Sequence, residues 1–324
     1  PYTEDGVPYG AGTNDLEVYK KLAKRAMDHG MSILLDYHYS DFWADPGKQR
    51  VPKAWRGMDA DQLEQAVYDY TRETLLEMKD AGVLPQLVQV GNELTNGLMW
   101  PLGQKPEYDN IAKFVSAGIR AVRSVDSDIP VMIHLDNGGN NPMYVDWFDN
   151  YMERGENFDI IGMSYYPFWH GTMKELEANM RDMADRYGKK IVIAEVSMGF
   201  TMEDYADYEK LGPDDRKGYA TKPSLVENLD YSMTPEGQAE FMNDIMKLID
   251  DVPGGDGFYY WEAGWIPVPG SGWATEGALS YIEESGPCGN EWANQALFDY
   301  DGHALPALKT IRDYKPLHSD YPLK

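Results

Sequence analysis

The chain has 324 residues, of which 43% are hydrophobic and 26% charged, a composition typical of a folded globular protein and not of a disordered one. Its formal net charge of −25 argues against nucleic acid and anionic membranes as partners, because both repel an acidic surface. No segment approaches the ~20 consecutive apolar residues of a membrane-spanning helix, and the single cysteine, Cys288, excludes an internal disulfide.

Six apolar runs rich in β-branched residues predict strands, at 32–40, 85–94, 130–137, 159–167, 190–198 and 257–265. The apolar residues in these runs are largely continuous and do not alternate with polar ones. Such runs indicate strands that are buried on both faces, as in a parallel sheet.

Amphipathic segments between the strands predict helices. The first is expected over 14–30, with Asn14 as its N-cap and Gly30 just after its end. Others are expected at 59–82, where Gly82 closes the helix, and at 110–125, 171–188 and 234–250. This alternation of helices and strands implies right-handed crossovers, in either a doubly wound sheet or a barrel.

Polar and aromatic residues lie toward the C-terminal end of every predicted strand: Asp36 and His38, Asn92 and Glu93, Asp136 and Asn137, Tyr165 and Tyr166, Glu195, and Trp261 and Glu262. In a barrel these ends meet in one ring, whereas a doubly wound sheet uses only those near its switch point. No G-x-G-x-x-G follows any strand, so a dinucleotide site has no support. We therefore predict an α/β fold of the (β/α)8 TIM barrel type.

A closed barrel of this type needs eight strands, and the sequence predicts six. We expect the first two to precede residue 1, so that 1–324 forms a single catalytic barrel domain, incomplete at its N-terminus. Acidic stretches at 201–233 and 266–292 contain Gly and Pro, and they are expected to form long loops after the last two strands. Loops at that face of a barrel are often functional.

Two glutamates end predicted strands, Glu93 and Glu195, with two strands between them. In an eight-stranded ring they would lie across the mouth from one another. Hydrolysis of a glycosidic bond uses such a pair, one carboxylic acid protonating the leaving oxygen while the other attacks or activates water. Either glutamate alone is equally consistent with a salt bridge in a loop or with a calcium ligand.

Neighbouring residues extend this hypothesis. Asn92 is expected to bind a sugar hydroxyl beside the anomeric centre, and Tyr166 to hydrogen-bond Glu195 and keep it ionised. His38 is expected to line the mouth as a sugar contact, whereas His134 lies inside a strand, where packing is the better interpretation. Aromatic rings pack on the apolar faces of sugars, and six tryptophans lie at or beyond strand ends: Trp43, Trp55, Trp100, Trp169, Trp261 and Trp265.

No zinc-type spacing such as H-E-x-x-H occurs, so no metal ligand is predicted. The acidic segment "MEDYADYEKLGPDD", which includes Glu203 and Asp204, lacks the D-x-[DN]-x-[DN]-G pattern of a calcium loop. We interpret it as a solvated loop. No cofactor is expected, and a structural calcium has no motif to support it.

Several segments resemble glycoside hydrolase family 53, the endo-β-1,4-galactanases of clan A: "LLDYHYSDFWADPGKQRVPKAW", "VGNELTNGLMWP", "HLDNG", "MSYYPFWHG", "IAEVSMGFT", "YYWEAGWIPV" and "WANQALFDYDGHALPAL". They span essentially the whole chain in the family's order. The resemblance implies Glu93 as general acid/base and Glu195 as nucleophile of a retaining mechanism, acting on β-1,4-galactan in the type I arabinogalactan of pectin side chains. Candidate substrate contacts are Asp36, His38, Trp43, Asn92, Asp136, Asn137, Tyr165, Tyr166 and Trp261.

The resemblance also implies a protein that is secreted, or located at the cell surface or in the periplasm, because its polymeric substrate lies outside the cytoplasm. We expect a monomer. The chain departs from the family in the two expected missing strands, one of which bears an arginine, and in the calcium-loop motif of bacterial members. Two alternatives stay open: another clan A endo-glycanase acting on mannan, xylan or a glucan, and a galactan-binding barrel without catalysis.

Overall fold

The computed structural model describes residues 15–203, 222–227, 229–267, 280, 290 and 292–316. Within these ranges the chain forms two compact units. The first contains residues 15–136, 142–162 and 280, and the second contains 137–141, 163–203 and the other described residues from 222 onward. Most of the two predicted long loops, including the acidic segment from Asp204, lies outside the described residues. The expectation of a single domain stays a prediction.

Six strands are described: β1 (Leu34–Tyr37), β2 (Leu87–Val90), β3 (Val131–Leu135), β4 (Ile160–Tyr165), β5 (Lys190–Val196) and β6 (Gly255–Tyr260). The helices of the described residues are α1 (Leu16–Asp28), α2 (Ala60–Asp80), α3 (Tyr108–Val125), α4 (Asn141–Met152), α5 (Met173–Tyr187), α6 (Pro223–Val226), α7 (Pro235–Asp251) and α8 (Pro306–Asp313). None of these helices combines the length and the hydropathy needed to cross a membrane.

All six predicted strands are confirmed, each shorter than its apolar run. The N-cap of α1 is Asp15 and not Asn14, because the Asp15 side chain accepts a hydrogen bond from the backbone N–H of Val18 at 2.9 Å. Helix α4 was missed. It begins at Asn-Pro, which favours a turn, although proline fits the first turn of a helix without losing a hydrogen bond.

The first unit is built on parallel strands β1, β2 and β3, which neighbour one another in that order. Helices α2 and α3 provide the crossovers between these strands and pack against each other. Valines in β2 are fully buried, and Gly118 on α3 lets the helix approach them, because a Cβ there would come within 2.6 Å of Val90. This packing of helices on strands fixes the ends of β1, β2 and β3, and with them the residues that follow each strand.

The second unit contains parallel strands β5 and β6, connected through α7, which also packs on α8. Their register shifts between Ile191 and Val192 and again between Ile193 and Val196. Phe241 and Ile245 on α7 are fully buried in this unit. Strand β6 ends at Tyr260, whereas the sequence predicted a strand to residue 265. Trp261 and Glu262 therefore lie after the strand.

Candidate active site

The chain turns sharply after β2, where Glu93 lies. Gly91 and Glu93 both have left-handed backbones, with φ of +83° and +48°, and a short 3₁₀ helix, Leu94–Asn96, follows. A left-handed conformation costs a non-glycine residue roughly 1–2 kcal/mol, so surrounding contacts must hold Glu93 in place. Glu93 is 9% exposed. Its position at the strand end agrees with the sequence, although its backbone is no longer that of a strand.

Asn92 lies in a buried polar network of the first unit. Its Oδ1 lies 2.9 Å from His134 Nδ1 and accepts from Gln89 Nε2 at 3.1 Å. Its Nδ2 donates to the carbonyl of Ala44 at 2.9 Å. These bonds fix which end of the amide carries the N–H groups, and they leave Nδ2 one further hydrogen for a ligand. His134 is fully buried, as its place inside β3 predicts.

Asp36 and His38 form a half-buried pair at the end of β1. His38 Nε2 lies 3.1 Å from Asp36 Oδ2, while His38 Nδ1 accepts from the backbone N–H of Ala44 at 2.9 Å. Because Nδ1 is an acceptor, Nε2 carries the hydrogen and donates it to Asp36. Trp43 lies nearby in the sequence and is half-buried, with its ring centroid 5.5 Å from that of Phe42.

Asp136 follows β3 and is nearly buried. The hydroxyl of Thr95 donates to its Oδ1, and the backbone N–H of Asp136 lies 3.3 Å from the same hydroxyl oxygen. Thr95 belongs to the 3₁₀ helix after Glu93, so this pair joins the ends of β2 and β3 within the first unit. Sequence reasoning did not identify Thr95, since a lone threonine in a loop carries no pattern.

Glu195 lies near the end of β5 in the second unit. The hydroxyl of Tyr166 donates to Glu195 Oε2 at 2.5 Å, which confirms the hydrogen bond expected from the sequence. A short bond to a carboxylate is charge-assisted and favours the ionised form. Glu195 is half-buried and therefore still open to solvent. An aligned, ionised and accessible carboxylate can act as a nucleophile.

Tyr166 and three tryptophans form an aromatic cluster in the second unit. The ring centroid of Tyr166 lies 5.3 Å from that of Trp292 and 6.1 Å from that of Trp169. Trp292 in turn lies 4.6 Å from Trp261, edge to face. Trp169 is 40% exposed, so the cluster reaches solvent. The sequence predicted Trp261 but not Trp292, which follows no strand and joins the cluster only through the fold.

The other predicted residues of the second unit differ in exposure. Tyr165 is 1% exposed, and its hydroxyl donates to the carbonyl of Gly171 at 3.1 Å, so the hydroxyl is already used within the unit. Asn137 is half-buried and left-handed, with φ of +53°. Glu262 shares this backbone, with φ of +55°, and burial raises the pKa of its carboxyl. Sequence reasoning placed Glu262 at a strand end without assigning it a role.

Comparison with known proteins agrees with the family resemblance found in the sequence. Residues 1–311 match the model of "Glycosyl hydrolase family 53". The chain is 36% identical to an endo-beta-1,4-galactanase of Bacillus subtilis over 96% of this chain and 74% of that protein. It is 30% identical to an arabinogalactan endo-beta-1,4-galactanase of Thermothelomyces thermophilus over 93% of this chain and 83% of that protein.

A solved structure is similar as well. The family 53 catalytic domain of Ignisphaera aggregans superimposes with a TM-score of 0.86 at 38% identity, covering 96% of this chain and 82% of that one. This likeness fits a (β/α)8 barrel-like fold, of which six strands are present among the described residues. That two further strands precede residue 1 stays a prediction.

Proposed function

Since the chain belongs to glycosyl hydrolase family 53 and is a glycosidase, we propose that it is an endo-acting, retaining hydrolase of β-1,4-galactan, including the galactan of type I arabinogalactan. Two relatives at 30% and 36% identity carry galactanase names. The observation that carries the chemistry is the 2.5 Å hydrogen bond from Tyr166 to Glu195, because it prepares a carboxylate for attack.

In the proposed first step, Glu195 attacks the anomeric carbon while Glu93 gives its proton to the leaving glycosidic oxygen. A covalent glycosyl-enzyme results, and the galactan on the leaving side departs with a free hydroxyl. In the second step Glu93, now a carboxylate, takes a proton from water, and the water oxygen displaces Glu195. The carboxylates return to their initial states, and no metal or cofactor takes part in either step.

The remaining predicted residues are proposed as substrate contacts, except Tyr165, which is 1% exposed. The second hydrogen of Asn92 Nδ2 suits a sugar hydroxyl, and Trp261 and Trp43 suit the apolar faces of galactosyl units. A polymer of this kind lies outside the cytoplasm, so we infer a secreted, surface-bound or periplasmic protein. A monomer suffices for this chemistry, because one chain supplies both glutamates.

The test is release of reducing ends from β-1,4-galactan, with mannan, xylan and a β-glucan as parallel substrates. We expect cleavage of galactan first, and a loss of about 10³-fold or more in kcat for Glu93→Gln and for Glu195→Gln with that substrate. Preferential cleavage of another polymer would support the alternative glycanase. Galactan binding without cleavage would support the binding barrel, and two fully active variants would refute the assigned pair.

A further inference from the structure

A buried side chain of the loop after β1 donates a hydrogen bond to the turn that contains Glu93. Gln49 is 2% exposed, and its Nε2 donates to the carbonyl of Asn92 at 2.8 Å. The same nitrogen lies 3.4 Å from the carbonyl of Glu93 and 3.2 Å from that of Asp45. A single carboxamide therefore lies close to the carbonyls of Asn92 and Glu93, which belong to the peptide groups before and after the Glu93 Cα.

The carbonyl of Asn92 lies beyond the end of the sheet. Strand β2 ends at Val90, and the left-handed backbone of Glu93 takes the chain out of the sheet. Carbonyls in a parallel sheet accept from the neighbouring strand, whereas Asn92 follows the strand and is 5% exposed. A buried carbonyl is stabilised by a hydrogen-bond donor, and Gln49 supplies one to Asn92.

Other hydrogen bonds fix Gln49 itself. Its backbone carbonyl accepts from the N–H of Trp100 at 2.8 Å, and Asn92 Nδ2 donates to Ala44 in the same loop at 2.9 Å. The loop segment 44–50 thus binds the segment 92–100 at both of its ends. Gln49 is the member of this set whose side chain reaches the backbone of Glu93 directly.

We propose that Gln49 is a positioning residue for the catalytic proton of Glu93: its carboxamide holds the left-handed turn so that the Glu93 carboxyl meets the glycosidic oxygen. This inference rests on the proposed function, since it takes Glu93 as general acid/base. Gln49 touches no reacting atom. It acts through the peptide group before Glu93, and small displacements of a catalytic group lower rates strongly.

The test uses Gln49→Met, which keeps the size of the side chain and removes its donor. Gln49→Leu serves as a second variant, because it is similar in size and offers no hydrogen-bond donor. With galactan we expect both variants to lower kcat by roughly ten- to hundred-fold and to change KM by less than about twofold. The matched control is Asn96→Ala. Asn96 Nδ2 donates to the carbonyl of Pro46 in the same loop at 2.9 Å, and it does not bond the carbonyls of Asn92 and Glu93. The kcat of Asn96→Ala should therefore stay within about twofold of the wild type.

A second readout separates positioning from general damage. An aryl β-galactobioside with a good leaving group needs little protonation, and azide attacks the glycosyl-enzyme without a general base. With that substrate and added azide, we expect the Gln49 variants to regain most of the wild-type rate. An unchanged kcat on galactan would overturn the inference, as would an equal loss on both substrates or an equal loss in Asn96→Ala.

A double-mutant cycle distinguishes this inference from the proposed function. In a Glu93→Gln background, Gln49→Met should lower the residual rate no further, because the group that Gln49 positions has lost its proton. If the Gln49 effect persists in full in that background, the positioning role is wrong while the function stands. If Glu93→Gln alone keeps its activity on galactan, the proposed function fails.

Discussion

The hydroxyl of Tyr166 orients the carboxylate of Glu195. Its hydrogen bond to Glu195 Oε2 measures 2.5 Å, and the ring of Tyr166 is held among tryptophans, so the hydroxyl has little freedom to turn away. Both halves of this arrangement come from the second unit alone. The consequence is a Glu195 carboxyl group whose orientation is set before substrate binds.

Replacing Tyr166 by phenylalanine tests the contribution of this hydrogen bond. A hydrogen bond to a charged group contributes roughly 1.5–3 kcal/mol, so we expect kcat on galactan to fall about ten- to hundred-fold. The ring contacts should remain, and KM should change little. The matched control is Tyr314→Phe, which removes a 2.5 Å bond to Asp250 elsewhere in the same unit and should leave kcat unchanged. Equal kcat values in Tyr166→Phe and the wild type would contradict the role.

The residues that sequence reasoning missed share a physical reason. Gln49 and Trp292 lie outside the strands and helices and follow no predicted strand directly, and Thr95 lies in a short 3₁₀ helix where its residue type carries no pattern. The apolar run before Glu93 predicts a strand end. The matching position of Glu195, two strands further along the chain, predicts hydrolysis of a glycosidic bond. A loop residue acquires its role only from what the fold brings against it, as the carbonyl of Asn92 meets Gln49. No one-dimensional pattern records such a contact.

At the scale of elements, the loop between β4 and α5 folds onto a buried histidine. The ring of His170 packs against Tyr166 at 5.3 Å, and its Nδ1 lies 3.0 Å from the carbonyl of Ser164. Burial lowers the pKa of His170 to about 4, although the contact with Ser164 partly raises it. Helix α5 follows with a capping box between Thr172 and Glu175.

This histidine makes the stability of the loop depend on pH. The pKa of His170 is about 4 in the folded protein and about 6.5 when unfolded, so the unfolded chain binds the extra proton between these values. The free energy of unfolding should therefore fall by up to about 3 kcal/mol from pH 6.5 to pH 4 and stay flat above pH 6.5 through this group.

Urea denaturation at a series of pH values measures the effect. The variant His170→Asn should lose this part of the pH dependence, so that wild type and variant converge as the pH falls toward 4. The exposed His29 provides a control, since His29→Asn should keep the slope of the wild type. If the curves for His170→Asn and the wild type ran parallel, the buried histidine would not be the cause.

Elements were predictable to different degrees. Strands were found because continuous apolar runs are long and distinct, and α2 because its amphipathic pattern is closed by Gly82. Helix α4 was missed because Asn-Pro at its start favours a turn, although Tyr144 and Trp147 follow helical spacing. Strand ends were placed too late, as at Trp261, because aromatic residues continue the apolar run after the sheet has ended.

At the scale of the whole molecule, the formal charge of −25 and the proposed neutral polysaccharide are compatible. An acidic surface keeps a protein soluble but does not attract a galactan, so binding must come from aromatic faces and hydrogen bonds. The proposed contacts come from both units: Trp43 and Asn92 belong to the first, and Trp261 to the second.

Mass spectrometry of a trapped enzyme tests whether this chain cleaves galactan through a covalent intermediate on Glu195. An activated 2-deoxy-2-fluoro β-galactobioside should lose its leaving group and transfer its fluorinated galactobiosyl group to Glu195 and to no other residue, because fluorine slows hydrolysis of the intermediate. The intact mass should rise by one fluorinated galactobiosyl group, and peptide mapping should place it in the β5 segment. An unmodified enzyme that still turns over galactan, or a label on another residue, would contradict the account.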